Sequence, residues 1–249
     1  MKKPFTLLVF VALFIGAYGV TPARALAAPP STTERTPTAL QASPLQPITR
    51  GDQMRLRIAL TFDACQTLYQ KPGFDTKIIA ELTKTHTPAT LFLGGLWMKS
   101  HPAQTQVLAA SGLFELGDHS WDHPDFTQIN PIRMASEITQ TQAIMLHFTG
   151  RAATLFRFPY GHYTPQAVAL VENEGLTPIQ WDVVSGDPDP HVTAQRMTKA
   201  VITQARNGSI IVMHMNRRGW HTAEALPNII MALQARGFQF VTVSQLLGK

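Results

Sequence analysis

Short apolar runs rich in β-branched and aromatic residues recur along the chain, and between them apolar positions fall at spacings of three and four. The runs at 56–62, 89–93, 114–117, 154–158, 177–183, 209–213 and 238–243 predict strands. The intervening segments predict helices at 75–85, 102–110, 131–147, 193–206 and 223–236, the last ended by Gly237. One more helix is expected where Thr164 can cap and Pro165 takes the first helical position. Strand and helix in alternation point to an α/β fold with a parallel sheet or barrel.

The pattern is absent from the first fifty residues. Residues 1–27 read as an export signal, with Lys2 and Lys3 ahead of an apolar run and Ala25-Leu26-Ala27 as a small-x-small cleavage site. The run is short for a spanning helix, so no stable membrane insertion is expected after cleavage. Residues 28–50 are rich in Pro, Ser, Thr, Gln and Ala without apolar period and read as a disordered linker. Residues 51–249 then form one domain, exported to the periplasm or secreted. Of the net charge of +5, the first fifty residues hold +4 through Lys2, Lys3, Arg24, Arg35 and Arg50 against Glu34. The domain is therefore near neutral and has no electrostatic footprint for nucleic acid. Cys65 is the only cysteine, which excludes an internal disulfide and leaves a thiol that is either buried or used.

His119 and His123 stand four positions apart, a spacing at which two imidazoles can meet one metal ion. The pair is weak evidence alone, and it is not the zincin motif, because Ser120 occupies the position where that motif needs a glutamate. Its company strengthens it. Asp63, His119, Arg157, Asp187 and His214 each fall at or just beyond the C-terminal end of a different predicted strand. Those ends converge on one mouth in a parallel barrel.

The order of these segments resembles the polysaccharide deacetylases, carbohydrate esterase family 4 or NodB-homology domain, from residue 58 to 247. The T-F-D-D motif appears as Thr61-Phe62-Asp63-Ala64, H-[ST]-x-x-H as His119 to His123, R-x-P-Y as Arg157-Phe158-Pro159-Tyr160, D-S-x-D-W as Val184-Ser185-Gly186-Asp187-Pro188, and L-x-H as Val212-Met213-His214. The resemblance implies a distorted, TIM-barrel-like (β/α)7 barrel that removes N-acetyl groups from an amino-sugar polymer such as peptidoglycan or a chitin-like oligosaccharide. It implies a divalent metal, with zinc favoured, on His119 and His123. In that scheme Asp63 is the base, Arg157 holds its carboxylate, His214 is the acid, Asp187 orients His214, and the backbone N–H of Tyr160 helps bind the oxyanion.

The sequence departs from the pattern at Ala64, which stands where the family has its third metal ligand. Water, Asp63 or the Cys65 thiolate could complete the site, and we order water or Asp63 ahead of Cys65, since a lone cysteine is more often a small buried apolar residue. A carbohydrate-binding pseudoenzyme that has lost the metal is the alternative reading. It has no need of Asp63, Arg157, Asp187 and His214 together. A metal-independent amidohydrolase resembling the allantoinases would not need both histidines. Asp118 is expected to cap backbone N–H groups, and His86, His101 and His147 to sit at helix ends. Of the tryptophans beside the motifs, Trp220 has the better claim to substrate and Trp181 to core packing.

Overall fold

The computed structural model describes residues 45–69 and 73–249; the expected export signal and most of the expected linker lie outside the described residues. The elements run in chain order as β1 (Arg57–Ala64), α1 (Thr76–Lys84), β2 (Ala89–Leu93), α2 (Gly95–Ser100), α3 (Pro102–Ala110), β3 (Phe114–Asp118), α4 (Pro131–Thr149) and β4 (Leu155–Phe156). There follow a 3-10 turn at Pro159–Gly161, then α5 (Pro165–Asn173), β5 (Thr177–Pro178), β6 (Val183–Val184), α6 (Ala194–Gln204), β7 (Ile210–His214), α7 (Thr222–Ala235), β8 (Gln239–Phe240) and α8 (Val243–Leu246). Among the described residues no helix is long and apolar enough to cross a membrane.

The strands pair in parallel in the order β5-β4-β3-β2-β1-β7-β6, with β8 also on β1. The two ends of this row, β5 and β6, are neighbours in sequence. Five residue steps from Pro178 to Val183 reach at most ~18 Å, whereas seven flat strands would span ~29 Å. The sheet must therefore curl, and the result is the distorted α/β barrel expected from the resemblance. Residues 179–182 lace the gap: Ile179 N–H donates to the Phe156 carbonyl, Gln180 N–H to Ile48 and Asp182 N–H to Ile210.

Period-two alternation on β1 separates two environments. Ile58, Leu60, Phe62 and Ala64 enter the main apolar cluster with α1 and α7 residues such as Ile78, Leu82 and Ile229. Thr61 and Asp63 are buried on the other face, with the guanidinium of Arg157. Helix ends follow local chemistry, since Asp75, Asn130, Thr164 and Thr193 each cap the following helix through a side-chain oxygen.

Some expectations need correction. The run at 177–183 is two strands of two residues each rather than one, because it bridges the barrel's open edges. The run at 238–243 pairs only at Gln239–Phe240, after which Thr242 caps α8. Helix α2 is not evident from the pattern, since Gly94 and Gly95 read as breakers. Residues 47–50, expected to belong to a linker, join the fold. Ile48 bridges Ile179, Arg50 bridges Ser209, and Pro47 is buried.

Candidate active site

The ends of β1, β3, β4, β6 and β7 deliver their following residues to one cavity of about 200 Å³, lined by Asp63, Cys65, His119, His123, Tyr160, Trp181, Val184, Ser185, Asp187, Pro188, Val212, His214 and Arg218. Every site residue expected from the sequence lines this cavity except Arg157, which lies beneath it as a fully buried side chain.

Arg157 fixes the floor. One terminal nitrogen donates to Asp63 Oδ1 at 2.7 Å and to Thr61 Oγ1 at 2.8 Å, and the guanidinium lies 3.9 Å over the Phe92 ring. Burial alone would raise the Asp63 pKa. The Arg157 charge, helped by His119 and His214, outweighs it and holds Asp63 below the usual carboxylate range. Asp63 is thus ionised, with Oδ1 tied down and Oδ2 3.7 Å from His119 Nε2.

The histidine loop is built with backbone strain. Ser120 and His123 both have φ of 64° and Tyr160 has φ of 59°, left-handed conformations that non-glycine residues seldom adopt. Tyr160 therefore carries backbone strain directly after Pro159. The loop is pinned from behind by Glu137 on α4, whose Oε2 accepts the N–H groups of Trp121 at 2.8 Å and Asp122 at 3.0 Å. Asp118 accepts from the Ser120 N–H and from Gln142, so its capping role holds, and burial raises its pKa well above the ordinary value.

Both imidazoles are prepared as neutral donors. His119 Nδ1 lies 2.9 Å from the Arg157 carbonyl, which accepts the ring N–H and leaves the Nε2 lone pair facing Asp63 and the cavity. Burial, against the pull of Asp63, lowers the His119 pKa; burial and the neighbouring His119 push His123 down to about 2. His123 Nδ1 is buried without a hydrogen-bond partner among the described residues, and the two rings meet edge-on at 4.9 Å. Cys65 Sγ and one ring nitrogen from each histidine lie within 4.8 Å of one another. A buried polar atom without a partner, beside two neutral imidazoles and a thiol, fits a divalent metal.

At the end of β7, beside Asp63, His214 Nδ1 lies 2.9 Å from Asp187 Oδ1, and Asp187 Oδ2 accepts from the His214 backbone N–H at 2.6 Å and from Thr222 Oγ1 at 2.7 Å. Burial works against the imidazolium, but the Asp187 charge and the hydrogen bond outweigh it and raise the His214 pKa. Only glycine fits where the next loop passes: a Cβ on Gly219 would come within 2.1 Å of Thr222 Oγ1 and 2.6 Å of Asp187 Oδ2.

Trp181 packs against an apolar cluster with Ile179 and Val243, as expected, and it also lines the cavity, whereas Trp220 is 60% exposed and does not line it. His162 and His221 pair with Asp125 and Glu224 and do not line the cavity. His101 stacks on Trp97 between α2 and α3, and His147 lies in the last turn of α4, as helix-end histidines should. Sequence reasoning missed Glu137 and ranked Cys65 last. Helical spacing gives no sign that Glu137 faces inward, whereas Cys65 follows Asp63 by two residues, the period of a strand face.

Residues 50–179 match the family model described as polysaccharide deacetylase. The chain is 32% identical over 193 residues to the peptidoglycan-N-acetylglucosamine deacetylase PgdA of Listeria monocytogenes, a match covering 78% of this chain and 39% of that protein. It therefore spans about two fifths of that relative's length. It is 30% identical over 178 residues to a chitooligosaccharide deacetylase of Azorhizobium caulinodans, covering 66% of this chain and 83% of that one. Among solved structures, the Bc1960 peptidoglycan N-acetylglucosamine deacetylase, in complex with a substituted N-oxidanyl-benzamide, superposes with a TM-score of 0.73 at 27% identity, over 81% of this chain and 92% of that one. Together with the five motif segments gathered around one cavity, these matches identify the chain as a member of the polysaccharide deacetylase family.

Proposed function

We propose that the protein is an exported hydrolase that removes N-acetyl groups from an amino-sugar polymer, peptidoglycan or a chitin-like oligosaccharide, by water attack on the amide carbonyl. The observation that carries this reading is the pairing of two acid–base groups in one cavity: Asp63, low and clamped by Arg157, and its register partner on the neighbouring strand, His214, high and clamped by Asp187. Two titratable groups pushed in opposite directions are the arrangement that general acid–base hydrolysis needs.

His119 and His123 would hold a divalent metal, zinc being the ion their neutral imidazoles suit. Bound there, such an ion supplies Lewis acidity that polarises the carbonyl and lowers the pKa of water. Asp63 takes the water's proton on its carboxylate, and the bond from Arg157 to Oδ1 keeps Oδ2 turned to the cavity. His214, protonated and oriented by Asp187 on Nδ1, gives the proton on Nε2 to the departing amine. The backbone N–H of Tyr160 donates to the developing oxyanion, positioned by the 3-10 turn at Pro159–Gly161. Trp181, Val184, Pro188 and Val212 form the apolar wall against the acetyl methyl, in place of the tryptophan that Pro188 replaces. The exported location follows from residues 1–27 and from a polymer outside the cytoplasm.

The test is release of acetate and appearance of free amine when the purified protein is incubated with N-acetylated chito-oligosaccharide or peptidoglycan. Product from either substrate is expected. No product from either, with divalent metal supplied, would place the chain among carbohydrate binders.

Two outcomes are specific to the geometry. Asp187→Asn removes the charge that raises the His214 pKa, so the alkaline limb of the pH–rate profile, set by loss of the acid's proton, should move to lower pH. An unmoved limb would mean His214 is not the acid. Glu137→Ala leaves the Trp121 and Asp122 N–H groups unpaired and frees the histidine loop, so metal affinity should fall about 10- to 100-fold in a chelator-competition titration.

A further inference from the structure

The family's third metal ligand has no counterpart at Ala64, whose methyl side chain carries no donor atom. Ala64 is fully buried in the apolar cluster between sheet and helices, with Phe62, Leu60 and Ile78. The cavity face of β1 instead carries Thr61 and Asp63, and one strand period further comes Cys65, which lines the cavity where Ala64 does not.

We propose that the Cys65 thiolate is the third protein ligand of the metal held by His119 and His123, giving a Cys-His-His centre that selects zinc or cobalt over magnesium and manganese. This rests on the metal-assisted reading above and deepens it.

Three observations carry the assignment. Sγ and one nitrogen of each histidine already lie within 4.8 Å of one another, and ligands around a tetrahedral ion with bonds of roughly 2.0–2.3 Å are roughly 3.5 Å apart, so the set closes with a contraction of roughly an ångström. The buried Nδ1 of His123, a residue only 8% exposed, has no partner among the described residues. Asn216, itself buried, reaches Cys65 with its side-chain amide, which donates to Sγ at 3.2 Å and to the Cys65 carbonyl at 2.8 Å. An amide N–H aimed at sulfur both orients it and stabilises its negative charge, as outer-shell partners of metal ligands do.

Charge and division of labour agree. Two neutral imidazoles and one anion keep the same ligand charge as two imidazoles and an aspartate, while the polarisable sulfur shifts preference toward zinc and cobalt. The thiol proton leaves to solvent as the metal binds. Asp63 is then relieved of coordination. Its Oδ1 stays on Arg157 and its Oδ2 stays available for the water proton.

Cobalt(II) is the probe, because a thiolate ligand gives it a sulfur-to-metal charge-transfer absorption in the near ultraviolet that imidazole and carboxylate do not. The wild-type protein loaded with one equivalent of cobalt should show this band. Cys65→Ser should lack it and bind zinc more than about a hundredfold more weakly, since even outer-shell partners of ligands are worth about 10- to 100-fold. Cys65→Asp, which restores a carboxylate donor on the same face, should bind cobalt without the band and shows whether loss in the serine variant is a folding failure. Stoichiometric cobalt without the band in the wild type overturns the Cys65 ligand and leaves the histidine pair standing. No bound cobalt in the wild type overturns the metal site altogether.

Discussion

Asp63→Asn should lower acetate release by about a thousandfold, within the range that general-base catalysis supplies, while the substrate KM changes little. An amide accepts a hydrogen bond from Arg157 but cannot take a proton from water. The variant should also be less stable, because Arg157 is fully buried and the Asp63 carboxylate is its ion-pair partner. Removing one charge of such a pair typically costs about 3–5 kcal/mol. The sign of the pH dependence follows from the lowered Asp63 pKa: its stabilising contribution is complete above the unfolded value of about 3.9 and is lost as pH falls through the lower folded value. The stability gap between wild type and Asp63→Asn should therefore be largest at neutral pH and close below about pH 4. A gap independent of pH would show that the Asp63 charge does not stabilise the fold.

Arg157→Met should have a comparable effect on folding by a different route. The methionine fills part of the volume over Phe92, but Asp63 is left buried without its cation. The loss of about 3–5 kcal/mol corresponds to a fall in Tm of about 10 °C for a domain of this size. Activity should fall as well, because the largest influence holding the Asp63 pKa down against burial is gone and Oδ1 is no longer anchored. The acid limb of the pH–rate profile should move to higher pH in whatever activity remains. Arg157→Lys should not rescue it, since a single ammonium cannot donate to Thr61 and Asp63 while stacking on Phe92 as a planar guanidinium does. A lysine variant with wild-type stability and rate would remove Arg157 from the account.

The central strands β1, β2 and β7 were legible because each is a largely apolar run buried on both faces, and β3 because Phe114 and Leu116 alternate with other residue types. The closing strands β5 and β6 were not, since they hold two residues each and owe their place to the curl of the sheet, a property of the whole chain. Helix α2 was hidden by Gly95, whose role is packing: a Cβ there would come within 2.1 Å of the Trp121 ring. At the site, the residues that follow strand ends were readable as such. Their supports were not, because Glu137 looks like any polar residue on a helix and becomes a positioning group only once α4 is laid behind the histidine loop. Cys65 had a signal, its strand spacing from Asp63, that the missing aspartate at Ala64 obscured.

Metal content and chelator sensitivity of the purified protein, followed on one sample, test the central claim most directly. The account predicts close to one zinc per chain, loss of acetate release from N-acetylated chito-oligosaccharide or peptidoglycan when the metal is stripped, and recovery when zinc or cobalt is restored. Full acetate release from protein shown to be metal-free would contradict it.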